Sequence, residues 1–163
     1  MIDFEKIVLK NGLTVLTHQD TTTPMAAVNV LYKVGSRNES SDNTGFAHLF
    51  EHLMFGGSEN VGDFDEIIQI AGGENNAFTN SDYTNYYEVL PVENIESALW
   101  VEADRMANLI ISKKSLDVQR KVVVEEFKEV CLNTPYGDAW HHISSMCYQN
   151  HPYNWPTIGK VPE

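Results

Sequence analysis

Only two of the 163 residues are cysteine, Cys131 and Cys147, and neither belongs to a CxxC pair. A disulfide framework is thereby excluded, and two free thiols are expected, with nothing marking either as an activated nucleophile. Basic residues are also scarce: 11 Lys and Arg face 23 Asp and Glu, for a net charge of −12. That balance argues against a nucleic-acid partner, because affinity for a phosphate backbone rests on Lys and Arg. No stretch approaches the roughly 18 consecutive apolar residues of a membrane-spanning helix, so no membrane partner is expected. Residues 1–20 lack a basic head, a long apolar middle and a small-residue cleavage site, which makes cytoplasmic the expected location. What remains is 42% hydrophobic and 21% charged, the composition of a folded domain long enough to bury a core.

The chain has no internal repeat and no linker. Residues 5–18 read as a hairpin about Asn11-Gly12, a favoured two-residue turn. Residues 25–35 are a third strand, apolar enough to be central. A polar loop, 36–44, ends in Thr44, the expected N-cap of a helix over 45–56. A short helix at 63–71 is stopped by Gly72-Gly73. Residues 75–80 and 83–90 read as strands closed by Pro91. Helices follow over 92–111, with Ile95, Leu99, Met106 and Leu109 at helical spacing, over 115–132, started by Ser115, and over 137–148. Strands and helices come without regular βαβ alternation. The expected class is α+β, a mainly antiparallel sheet with helices packed on one face.

His48-Leu49-Phe50-Glu51-His52 carries the chemistry. With His48 at zero, a helix puts Glu51 at about −60° and His52 at about +40°. The three polar side chains share a face, while Phe46, Leu49, Phe50, Leu53 and Met54 fill the opposite arc. Two histidines four residues apart bring their ring nitrogens close enough to share a zinc ion. Glu51, on the same turn, suits proton transfer from an activated water better than ligation. HxxEH arises by chance in roughly one sequence in fifty of this composition. The pentapeptide alone therefore leaves two readings, a metal site or two surface histidines beside an ordinary glutamate.

A third ligand has to come from elsewhere. On the 115–132 helix, Val122, Val123 and Val130 fall within about 60° of Glu126, and Gln119 within about 20°. Glu126 is thus expected in an apolar stripe, where an unpartnered carboxylate is costly and a cation relieves the cost. The other reading is an edge carboxylate paired with Arg120 or Lys128. Glu125 points toward solvent.

Several further segments align with one pattern: GFAHLFEHLMFGGSEN (45–60), AGGENNAFTNSDYTNYY (71–87), ALWVEADRMANL (98–109), VVVEEFKEV (122–130) and NHPYNWPTIG (150–159). In order and over nearly the whole chain, the sequence resembles the pitrilysin/insulysin family of zinc peptidases, the inverzincins, whose HxxEH reverses the HExxH of other zincins. The resemblance implies one Zn2+ per site, held by His48, His52 and Glu126, with Glu51 as general base. It implies a peptide substrate bound as an added strand on Asn76, Ala77, Phe78 and Thr79, with Phe55 lining the cleft. Many members carry a second, supporting glutamate seven residues before the distal ligand; here that position is Gln119.

The resemblance also implies a multi-domain enzyme in which a later domain helps bind the substrate. Residues 1–163 are accordingly expected to be a single catalytic domain truncated from a longer chain. The end at Val161-Pro162-Glu163 looks like a cut. Expected partners are the missing C-terminal domain or a homologous subunit, and a homo-oligomer is left open. Two other functions stand beside the endopeptidase: an inactive homologue acting as a binding or assembly subunit, and a metal hydrolase for a non-peptide substrate. His141-His142 is expected to be a helix-surface pair and His151 a loop residue. Trp100, Trp140, Trp155 and the Tyr83, Tyr86 and Tyr87 cluster are expected in core or cleft packing.

Overall fold

In a computed structural model, residues 2–160 are described. Val161-Pro162-Glu163, where the sequence looks cut, lies outside them, as does Met1 of the leader reading.

Strands β1 (Glu5–Val8) and β2 (Thr14–Thr17) form an exposed antiparallel hairpin. Its loop is one residue longer than the two-residue turn expected. Gly12 N–H donates to the Leu9 carbonyl (2.9 Å), Leu9 N–H to the Leu13 carbonyl (2.9 Å), and Gly12 has φ +89°. Lys10, Asn11 and Gly12 thus make a three-residue loop, with glycine at the left-handed position that closes such a turn.

A separate sheet has the order β3 (Met25–Tyr32), β5 (Thr84–Pro91), β4 (Glu74–Thr79), all antiparallel. The central strand is β5, not β3 as apolarity suggested. Hydrophobicity misleads because β5 buries polar side chains that have partners inside. Thr84 donates to the Val34 carbonyl (2.9 Å), and Glu88 pairs with Arg105 (3.3 Å). Among the described residues, β4 pairs only with β5 and has its other edge unpaired.

Helix α1 (Phe46–Met54) begins one residue later than expected and is not capped by Thr44. Its N-cap is Gly45, at φ +85°. The Glu39 carboxylate accepts from Gly45 N–H (3.0 Å) and Ala47 N–H (2.7 Å), and Thr44 instead accepts from Lys160 N–H (3.0 Å). A distant carboxylate thus does the work of the missing cap and complements the positive helix end. The apolar arc of α1 is only partly covered. Leu53 is buried, while Phe46 and Phe50 line an apolar cavity of about 510 Å3 with Tyr32 and Met54.

Helix α2 (Phe64–Ile70) is capped by Asp63, whose carboxylate accepts from Glu66 N–H (3.2 Å). It ends at Gly72, φ +76°, as the paired glycines suggest. Helix α3 (Ile95–Asn108) follows a single 3-10 turn and faces the core differently from expectation. Leu99 and Met106 are exposed, and the inner face is Ala98, Val101, Glu102 and Arg105. Helix α4 (Lys113–Phe127) starts two residues before Ser115. Ser112 is the N-cap, and Ser115 reciprocates in a capping box, so the expected starting serine is the partner of the true cap. A π turn over Lys128–Leu132 ends it, and α5 spans Ala139–Cys147. The core, Val28, Val61, Phe64, Ile68, Ala71, Leu90, Ala98 and Val101, lies between the sheet, α2 and α3. The α+β class holds. No helix among the described residues is long and apolar enough to cross a membrane.

Of the smaller expectations, Trp155 is buried and donates to the Ser36 carbonyl (2.9 Å), Trp140 is exposed but lines a cleft with Tyr148, Tyr153 and Trp155, and Trp100 is exposed. Tyr86 is in the core. His142 is on the surface, but His141 turns inward onto Phe127 and Cys131. His151 accepts from Tyr153 N–H in its loop (3.2 Å). Both cysteines are free.

Candidate metal centre and adjacent cleft

The i, i+4 spacing on α1 turns the Nε2 atoms of His48 and His52 to 3.2 Å from one another. From α4, the Glu126 carboxylate meets both rings: Oε1 is 3.6 Å from His48 Nε2 and Oε2 is 3.3 Å from His52 Nε2. A tetrahedral zinc with ligands at about 2.0–2.1 Å requires donor separations of roughly 3.3–3.4 Å. The three donors therefore fit the edges of such a polyhedron. Among the described residues, this is the one cluster of three or more such side chains close enough to hold an ion.

Glu126 reaches the site, but burial is not the reason. Its side chain is 37% exposed, and the flanking Val122 and Val130 are 44% and 48% exposed. The alternative pairing with Lys128 belongs to Glu125 instead (2.7 Å). Burial holds His48 below the usual imidazole range, and the His52 ring lowers it further against the opposing pull of Glu126. His48 is thereby kept in the neutral form that ligates a metal. Its Nδ1 is buried without a hydrogen-bond partner among the described residues.

Glu51 faces the same side of α1 and borders a cavity of about 500 Å3 with His52, Phe55, Asn76 and Gln119. Asp65 and Glu74 also line it, and no Lys or Arg does. The remaining strand residues are less close. Alternation along β4 turns Ala77 inward, half-buried, and Phe78 outward against Tyr83, with ring centroids 5.8 Å apart. The Asn76 side chain accepts from Ala77 N–H (2.8 Å).

Two contacts near the cleft do not follow from the sequence pattern, one of them made by Thr79 of the expected substrate strand. Thr79 donates a hydrogen bond to Glu51 Oε2. Arg105 is buried between Glu88 and Glu102, with its guanidinium 4.3 Å from the Tyr86 ring centroid and 5.6 Å from that of Phe55. Strand alternation from Ala77 pointed to Thr79. For Arg105 the signal was its spacing from Ala98, Val101 and Glu102, hidden by the louder leucine and methionine. Asp104 is a further polar centre that no sequence pattern marks. It gathers Ser58, Asn60 and Asn108, and the Ser58 hydroxyl above all holds its carboxyl far below the usual range.

Two imidazoles and a carboxylate around one point, with a second carboxylate beside them, form the class of site used in metal-assisted hydrolysis. The chain belongs to the insulinase family, peptidase family M16, whose model matches residues 14–161. It is 37% identical over 158 residues to the zinc protease PqqE of Helicobacter pylori, covering 95% of this chain and 36% of that protein. It is 36% identical over 153 residues to a probable mitochondrial-processing peptidase subunit beta of Arabidopsis thaliana, covering 93% of this chain and 29% of the relative. The crystal structure of a protease from Helicobacter pylori superposes with a TM-score of 0.94 at 36% identity, over 98% of this chain and 39% of that one. Pitrilysin shares the fold, with a TM-score of 0.84 at 24% identity, over 98% of this chain and 17% of that one. The chain thus spans little more than a third of the length of the two Helicobacter pylori matches, and less of the plant subunit and of pitrilysin.

Proposed function

We propose that the full-length protein is a zinc-dependent endopeptidase and that residues 1–163 are its single catalytic domain, part of a longer multi-domain chain. The observation that carries this reading is the convergence of Glu126, from α4, on both Nε2 atoms of the α1 histidines. His48, His52 and Glu126 hold the metal. Zinc, when bound, supplies Lewis-acid polarisation of the scissile carbonyl and a water acidic enough to lose a proton near neutrality. Glu51 takes that proton on its carboxylate and passes it to the leaving amine. The peptide adds as a strand along the unpaired edge of β4, at Asn76, Ala77 and Phe78, with side chains entering the cavity beside Phe55. Relatives named as zinc proteases support the metal and the reaction class. A later domain or a homologous subunit completes the substrate site, and the relative named as a peptidase subunit supports that partnership.

A second reading, an inactive assembly subunit, is favoured by Gln119, an uncharged amide at the position where the resemblance expects a glutamate. One experiment separates the two. With full-length protein and a quenched fluorescent peptide, chelation is expected to abolish cleavage and added Zn2+ to restore it. Glu51→Gln is expected to keep stoichiometric zinc while turnover falls about 100- to 10,000-fold. Cleavage by E51Q at the wild-type rate overturns the assignment. A wild-type protein that binds zinc without turnover supports the second reading.

A further inference from the structure

A general base works only if its oxygen is held where the proton will be, and a glutamate side chain on a helix has three free torsions. Glu51 is restrained from across the cleft. Alternation along β4 puts Asn75, Ala77 and Thr79 on its more buried face, and Thr79 stands opposite Thr84 in the β4–β5 register. The Thr79 hydroxyl donates to Glu51 Oε2 and lies 3.3 Å from the Thr84 hydroxyl oxygen. Thr84 gives its own proton to the Val34 carbonyl (2.9 Å). Thr84 therefore meets Thr79 only as an acceptor. The one Thr79 proton has two candidates, a carboxylate and a neutral hydroxyl, and charge assistance favours the carboxylate about twofold in strength.

The hydroxyl is itself rigidly held. Threonine is β-branched and stiff at χ1, and its strand is paired with β5 from Glu74 to Thr79. We infer that Thr79 is a positioning residue for Glu51. It ties Oε2 to the sheet and leaves Oε1, which has no hydrogen bond to the described residues, to exchange the proton. The same residue ends the strand to which the substrate is proposed to add, so it also sets the base in register with the bound peptide. Nothing in the contact requires the metal, since Thr79 bonds to none of His48, His52 and Glu126. The inference rests on Glu51 being the base, as proposed above.

The test uses full-length protein, a quenched peptide and four variants. Thr79→Val keeps the shape and loses the hydroxyl, whereas Thr79→Ser keeps the hydroxyl and loses a methyl. T79V is expected to lower kcat about 10- to 100-fold, with KM, zinc stoichiometry and melting temperature near wild type. T79S is expected to stay within about threefold of wild type, as a hydroxyl role demands. If T79V proves unstable, Thr79→Ala measured against T79S decides on the same criterion. The inference is overturned if T79V turns over at the wild-type rate, if T79S loses as much as T79V, or if the loss lies wholly in KM or in zinc content. Glu51→Gln is run alongside. An inactive E51Q with a fully active T79V sinks this inference alone; a fully active E51Q removes the reading beneath it as well.

Discussion

Gln119 and Glu126 lie two turns apart on one helix, and the exposure of Glu126 changes what each has to do. A half-open carboxylate is not driven to the two rings by the cost of burial; it reaches them because α4 packs against α1. Its hold on a cation then depends on the charge around it. Gln119 borders the cavity with Glu51 and His52 and brings an amide there, with no charge to offer. Groups that orient metal ligands typically alter affinity about 10- to 100-fold. Gln119→Glu is therefore expected to tighten zinc binding about tenfold, read by competition with a chromophoric chelator. Unchanged affinity would mean that residue 119 does not act on the site.

The motif helix shows how an element can be set by residues outside it. Thr44 has the chemistry of an N-cap and sits beside the helix start, yet Gly45 takes that position in the left-handed region, at φ +85°. A Cβ on Gly45 would lie 3.0 Å from the Ile158 carbonyl oxygen. Glycine is thus required twice, by backbone conformation and by the close approach of the 158–159 segment. Gly45→Ala is expected to cost about 1–2 kcal/mol in backbone conformation alone, measured by urea unfolding, and to loosen the first turn ahead of His48. No change in the unfolding midpoint would show that the loop yields without cost. Helix positions were legible here and caps were not, because an N-cap is chosen by where the entering chain can go. The Glu39 carboxylate that serves the helix start is six residues from Gly45 and invisible to a local pattern.

Across the whole molecule, the main surprise is the charge inside it. Burial pushes the Glu88 carboxyl up to about 7, against the pull of Arg105. A carboxyl that binds its proton more tightly folded than unfolded adds stability below its ordinary value of 4.5 and loses that stability as pH rises to about 7. Glu88→Gln removes the titration and keeps an acceptor for Arg105. Relative to E88Q, the wild-type protein is expected to lose stability between about pH 5 and about pH 8, checked by urea midpoints of both proteins at the two values. A constant difference would show that Glu88 titrates like an exposed carboxyl. This cluster adjoins the cavity, since Arg105 stacks on Tyr86 and reaches Phe55, which borders it. From sequence alone the α3 wheel favoured Leu99 and Met106, which are exposed. An amphipathic reading ranks side chains by apolarity, and it fails where a buried face is polar and internally paired.

By itself the sequence determined what is local and periodic. It set the α+β order of elements, the shared face of His48, Glu51 and His52, and the strand that carries Asn76 and Ala77, because residue spacing on a helix or strand dictates which side chains lie together. Tertiary structure alone decided which strand is central, which oxygen reaches which ring, and that Thr79 holds Glu51. Each of these joins residues far apart in the chain, and only the packing of α1 against β4 and α4 brings them within bonding distance.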